Sequence, residues 1–224
     1  MGMGYLYVRD GIKYRVEGNL EQAEVNFKRA IQNEEDNSDG YRELSCLYNE
    51  QGRYEEAIEV CNSYLEIRDN APFALFNIAT ALHQLQNYKD EAHYINQLML
   101  VNSSYPGLGY LNVCNLYELG ETRAVKTAIE DAFHNDPKNQ QLHLFSSKFY
   151  YEIGEKEKAL THLKFLMNTF YKESKYYVRF SRLAIELELF EEAESALRQA
   201  LILKPTNAVA DELYQKIPKE LQKK

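Results

Sequence analysis

The residues of this chain that could carry metal or nucleophilic chemistry are few: histidines at 83, 93, 134, 143 and 162, and the cysteines Cys46, Cys61 and Cys114. A zinc centre needs ligands that one helix or knuckle can converge, as in HExxH or paired CxxC, and neither spacing occurs. Three cysteines without CxxC spacing make no disulfide framework, so they read as buried or half-buried free thiols. A phosphate loop needs GxGxxG or GxxxxGK; the stretch YPGLGY, Tyr105 to Tyr110, holds only Gly107 and Gly109 and follows no strand, which makes it a linker between helices. The adjacent Glu55 and Glu56 fall on the outer face of a predicted helix, where solvation explains them. With no nucleophile motif either, the chain reads as non-enzymatic, with no catalytic residue, metal or cofactor.

The elements that carry these residues are helices. Only five prolines and ten glycines occur in 224 residues, and 45% of the residues are hydrophobic, which suits an all-α chain with a real core. The formal charge of −8 argues against nucleic acid, whose phosphates need a Lys/Arg excess. The N-terminal MGMGYLYVRDGIKY has no signal-like apolar run, and no stretch approaches the ~20 apolar residues of a membrane span. Gly2 suggests myristoylation, but Leu6 replaces the required hydroxyl. A cytoplasmic location is expected, or a periplasmic or membrane-anchored one if a leader has been removed.

A period organises the helices. Gly18 and Gly52 are 34 residues apart, as are Gly120 and Gly154, which sets six units at 4–37, 38–71, 72–105, 106–139, 140–173 and 174–207. Each unit is predicted to be two helices of about fourteen residues joined by a tight turn. The glycine ends the first helix in a left-handed conformation, and Leu20, Tyr54, Tyr88 or Phe190 plugs the bend. Ala23, Ala57, Ala159 and Ala193 let the paired backbones approach, followed by Ala30, Ala132 and Ala200. Pro72 and Pro106 open first helices, and Pro137 and Pro205 close second ones. The third unit departs from the pattern, with Glu91 on the alanine position and Ala92 one place late, so a local bulge or re-phased helix is expected. The fourth carries Val125 there, making this middle region the expected weak seam. Residues 208–224 read as a capping helix, with Ala208, Leu213 and Ile217 on one side, followed by a polar tail.

This pattern resembles the tetratricopeptide repeat (TPR) family, most clearly in Gly11, Tyr14, Gly18, Ala23, Phe27 and Ala30 of the first unit and Phe190, Ala193, Ala200 and Pro205 of the last. The resemblance implies a right-handed α-solenoid of antiparallel helix pairs whose first helices line a trough that recognises a peptide or a helical segment of a partner. By phase, that peptide-binding groove includes Arg42, Asn49, Phe76, Asn77, Thr80, His83, Tyr110, Tyr117, Lys148, Tyr151, Lys175, Arg179 and Arg182, with Cys46 and Cys114 beside them. Phe76, Tyr110, Tyr117 and Tyr151 supply rigid rings. Lys175, Arg179 and Arg182 share one helix face with Lys148 one unit earlier, a basic end suited to an acidic segment or C-terminal carboxylate, or else a solvated charge stripe. The full carboxylate clamp of some TPR domains is absent: Asn77, Lys175 and Arg179 match its positions, but in different registers. A scaffold for protein partners is therefore the expected function; a self-associating assembly protein and the substrate-recruiting arm of a larger enzyme are the alternatives.

Overall fold

The computed structural model describes residues 2–218. Among them are thirteen helices and no strand: α1 Met3–Val16, α2 Leu20–Asn33, α3 Ser38–Glu50, α4 Tyr54–Ile67, α5 Pro72–Gln84, α6 Tyr88–Asn102, α7 Leu108–Glu118, α8 Thr122–Asn135, α9 Gln140–Glu152, α10 Lys156–Thr169, α11 Ser174–Glu186, α12 Phe190–Leu203 and α13 Ala208–Tyr214. They form two compact units, residues 1–135 and 136–224. The polar tail expected at 219–224 lies outside the described residues.

One turn joins the helices of every pair. After α1 the N–H of Asn19 donates to the Tyr14 carbonyl (2.8 Å) and that of Gly18 to Arg15 (3.1 Å), a Schellman closure that satisfies orphan carbonyls at the helix end. The same two bonds close α3, α5, α7, α9 and α11. The closure needs one left-handed residue, supplied by Gly18, Gly52, Gly120 and Gly154 with φ between 74° and 81°. In the third and sixth pairs that residue is Gln86 (φ 57°) or Glu188 (φ 59°), where a Cβ adds steric cost. At several helix starts asparagine caps the free amides: Asn37 Oδ1 accepts from Gly40 N (2.7 Å) and Asn139 Oδ1 from Leu142 N (2.9 Å).

In the first unit the paired helices meet at the fourth residue of each second helix. Ala23, Ala57 and Val125 are fully buried there. Glu91 occupies the same position in α6, also fully buried, and its N–H donates to Asn87 O (3.0 Å) as Ala57 N–H does to Arg53 O (3.1 Å). The expected bulge is therefore absent: the helix keeps its phase because the carboxylate finds partners, described below. No seam runs between the third and fourth pairs. Leu75, Ala79, Ile95, Leu98, Leu108 and Leu111 make one core cluster across the third and fourth pairs. Pro106 does not open α7 as expected; it precedes Gly107, a left-handed N-cap (φ 84°), and the helix starts at Leu108. Gly109 lets α7 lie close against α8, since a Cβ there would come within 2.9 Å of that of Ala132.

The second unit repeats the arrangement with Ala159 and Ala193 fully buried at the contact position. The helix α13 packs on α11 and α12. Its buried side is Ala210 and Leu213, with Ile217 buried just past its end, whereas Ala208 is exposed. Between α9 and α10 sits a pair of imidazoles, with His143 Nδ1 3.0 Å from His162 Nδ1 and His143 Nε2 3.0 Å from the Pro137 carbonyl. A carbonyl only accepts, so His143 carries its proton on Nε2 and accepts at Nδ1 from His162 Nδ1–H. The His143 ring stacks on Phe165 at 3.7 Å. Burial, reinforced by the neighbouring His143, holds the His162 pKa down at about 4, and burial also lowers that of His143.

Two predictions follow from these features. Glu188→Gly removes a left-handed side chain and is expected to raise the free energy of unfolding by about 0.5–1 kcal/mol, and Gly154→Ala to lower it similarly, read from urea unfolding. The depressed histidines bind more protons unfolded than folded, so their own contribution to stability is complete above pH 6.5 and declines as pH falls toward 4. Urea midpoints measured between pH 7 and pH 4.5 should fall, with a flatter decline in His162→Gln.

Candidate peptide-binding face

In the first unit α1 touches α3, α3 touches α5 and α5 touches α7, and among the described residues no two second helices approach as closely. The first helices thus line the inner side of the stack, where the groove residues were expected.

Much of that face is occupied by bonds between helices. Asn77 is buried, its Nδ2 donating to Ser45 Oγ (2.8 Å) and Cys46 Sγ (3.5 Å), so it ties α5 to α3 and does not present an amide to a ligand. Asn49 Nδ2 donates to the Asn77 carbonyl (3.1 Å). Thr80 Oγ1 donates to Phe76 O within its own helix (2.9 Å). Arg42 is exposed but paired with Asp39 (2.9 Å) and Glu43 (3.3 Å), and Glu43 also takes Arg15 from α1 (3.0 Å). The rings are half-buried: Phe76 lies 5.1 Å from Tyr105, and burial beside the Cys114 thiol pushes Tyr110 up to about 12. Burial likewise pushes the Cys114 thiol up to about 11. Tyr117 is half-buried as well.

His83 belongs to a network that the sequence did not suggest. Its Nδ1 lies 3.1 Å from both Glu91 carboxylate oxygens, and Asn115 Nδ2 donates to Glu91 Oε2 (2.9 Å) and to the Tyr88 carbonyl (2.8 Å). The hydrogen bond to Glu91 outweighs burial and raises the His83 pKa. The signal was present as a glutamate where the repeat asks for a small residue, but it read as a slipped register.

In the second unit most cations have carboxylate partners. Lys148 meets Glu152 (3.6 Å), Lys156 meets Glu186 (3.2 Å), and Lys175 meets Glu173. Tyr151 donates to Glu186 (3.1 Å) under Lys156, whose Nζ lies 5.6 Å from the ring centre. Arg179 and Arg182 are exposed and have no carboxylate of the described residues within ion-pair distance. The field of Arg182 does reach α13, where Lys216 first, and Arg182 second, hold Glu212 below its ordinary range. Among the described residues no group of three His, Cys, Asp or Glu side chains could hold a metal ion, and no helix is long and apolar enough to cross a membrane.

Comparison with known proteins agrees with this architecture. Residues 16–82 and 174–207 match tetratricopeptide repeat family models. The chain is 26% identical over 153 residues to a TPR repeat-containing protein, MJ1428, of Methanocaldococcus jannaschii, covering 65% of this chain and 27% of the relative. It is 32% identical over 77 residues to the photosystem I assembly protein Ycf3 of a Synechococcus species, covering 33% of this chain and 44% of the relative. It thus spans less than half the length of either curated relative. Among solved structures, Pseudomonas aeruginosa PilF superposes with a TM-score of 0.74 at 17% identity, over 95% of this chain and 97% of that one. Residues 16–82 and 174–207 are thus tetratricopeptide repeats, and the helical hairpins built through both units form a repeating arrangement consistent with that pattern.

Proposed function

We propose that the chain is a non-catalytic scaffold that holds a peptide or helical segment of a partner protein on its first-helix face, organised as six repeats over 4–207 with a cap from 208. The TPR fold supports a protein–protein interaction role. The finer reading rests on Arg179 and Arg182. In a chain of net charge −8, two exposed guanidinium groups one turn apart on α11 lack an intramolecular carboxylate among the described residues, while Lys148, Lys156 and Lys175 have theirs. Guanidinium presents a planar fork of donors to a carboxylate, and charge-assisted bonds of that kind are short and strong. An acidic segment or a chain-terminal carboxylate fits that site. Phe76, Tyr110 and Tyr117 supply the apolar part of the face in the first unit, as half-buried rings that lose little entropy on binding. The likeness to a photosystem assembly protein is consistent with a role in bringing other proteins together.

The test is selection of dodecamer peptides on the wild-type protein from a displayed random library. Acid-rich peptides are expected, and fluorescence anisotropy with Arg179→Glu combined with Arg182→Glu should show binding weakened by about 10- to 100-fold, each charged hydrogen bond contributing about 1.5–3 kcal/mol. Peptides without acidic bias, or affinity unchanged in the double variant, would remove this reading of the second unit.

A further inference from the structure

Burying a carboxylate at a helix–helix contact is costly unless it is fully partnered, and the fold does not need one there, because Ala23, Ala57, Ala159 and Ala193 fill the equivalent place. Glu91 is nevertheless fully buried, with one oxygen shared by His83 and Asn115 and the other by His83. A local rule broken at this cost points to what the carboxylate holds. That is the imidazole of His83, which lies with Phe76 and Thr80 on one face of α5 at i, i+4, i+7. The His83 side chain is 24% exposed and commits Nδ1 to the buried Glu91 carboxylate, so Nε2 is the ring nitrogen left for a ligand. Nε2 has no partner among the described residues.

We infer that Glu91 is a positioning residue that holds His83 as a fixed donor on the first-helix face of the first unit, where its outer N–H binds a carbonyl or carboxylate oxygen of a bound peptide. The inference rests on the proposed peptide-binding reading. The groups facing this histidine favour it: Glu91 from α6 accepts at Nδ1, the exposed Glu118 of α7 adds a second negative field, and the Tyr88 ring stands edge-on at 5.6 Å. With Glu91 matched to the imidazolium and Glu118 adding a negative field, the site suits an uncharged main-chain carbonyl better than an acid. Protonation lets Nε2 donate while Nδ1 remains on Glu91; the neutral ring with Nδ1–H offers only an acceptor outward. Binding through this point therefore strengthens as pH falls through the His83 titration.

Peptides selected on the wild-type protein serve as the probe, measured by anisotropy at pH 6 and pH 8. Among them, binding that weakens several-fold from pH 6 to pH 8 in the wild type is expected, and His83→Gln should lose that pH dependence and about tenfold of the affinity at pH 6, the effect of one charged hydrogen bond. The variant Glu91→Ala places there the residue used by four of the other five pairs, so it is expected to keep the fold; in it the His83 carbon and nitrogen resonances should titrate at lower pH, and binding should lose its pH 6 advantage. If both variants bind as the wild type does at both pH values, the inference is overturned while peptide binding stands. A library that yields no binder removes both together.

Discussion

The structure depends on backbone-to-backbone contact between two short helices at one position. A helix of about fourteen residues is marginal alone, and its stability comes from burying one face against neighbours. The fourth residue of each second helix lies inside the pair, and Ala23, Ala57, Ala159 and Ala193 have no solvent exposure there. A small side chain brings the remaining apolar positions into register: Phe27, Cys61, Ile95, Ile129, Leu163 and Leu197, four residues further on, are all buried. The position tolerates Val125, and it tolerates Glu91 only with His83 and Asn115 around it. A polar network therefore exists at that place because the packing geometry left no room for an unpartnered charge.

The face lined by the first helices carries the bonds that join one pair to the next, and the proposed recognition must share it. Near the end of α1, Arg15 reaches Glu43; near the end of α3, Asn49 reaches the Asn77 carbonyl; near the end of α9, Tyr151 reaches Glu186. These three residues occupy the same place in their pairs, and each joins its own helix to the next first helix in its unit. The recognition we propose draws on the remainder, chiefly the half-buried rings and the exposed guanidinium groups of α11. That division explains why so few of the polar residues on this face are available to a partner.

Most of the architecture was legible because it rests on local demands. A left-handed residue ends each first helix, a small residue follows in the second, and both recur at a fixed interval in the sequence. The site was less legible, since the fate of a polar side chain depends on its neighbours across the stack. Asn77 points by phase toward the trough, yet Ser45 and Cys46 from the previous first helix capture its amide. Arg179 and Arg182 were visible as a basic stripe, but which cations already had partners became clear only from the carboxylates facing them. Glu91 was seen and misassigned: a glutamate in a small-residue place reads as a slip in register, and only the histidine eight residues earlier and the asparagine on α7 show that nothing slipped.

The shared turn closure also restricts how such a chain can change in length. Its hydrogen bonds run only between residues five or fewer apart, and the same bonds recur at all six turns. Gain or loss of a whole hairpin therefore preserves every kind of contact, whereas adding a single residue inside a helix turns all that follows by about 100° and carries the buried row into water. A chain built this way can gain or lose complete modules without losing any kind of contact, and it has most room for a small insertion where it crosses from one module to the next.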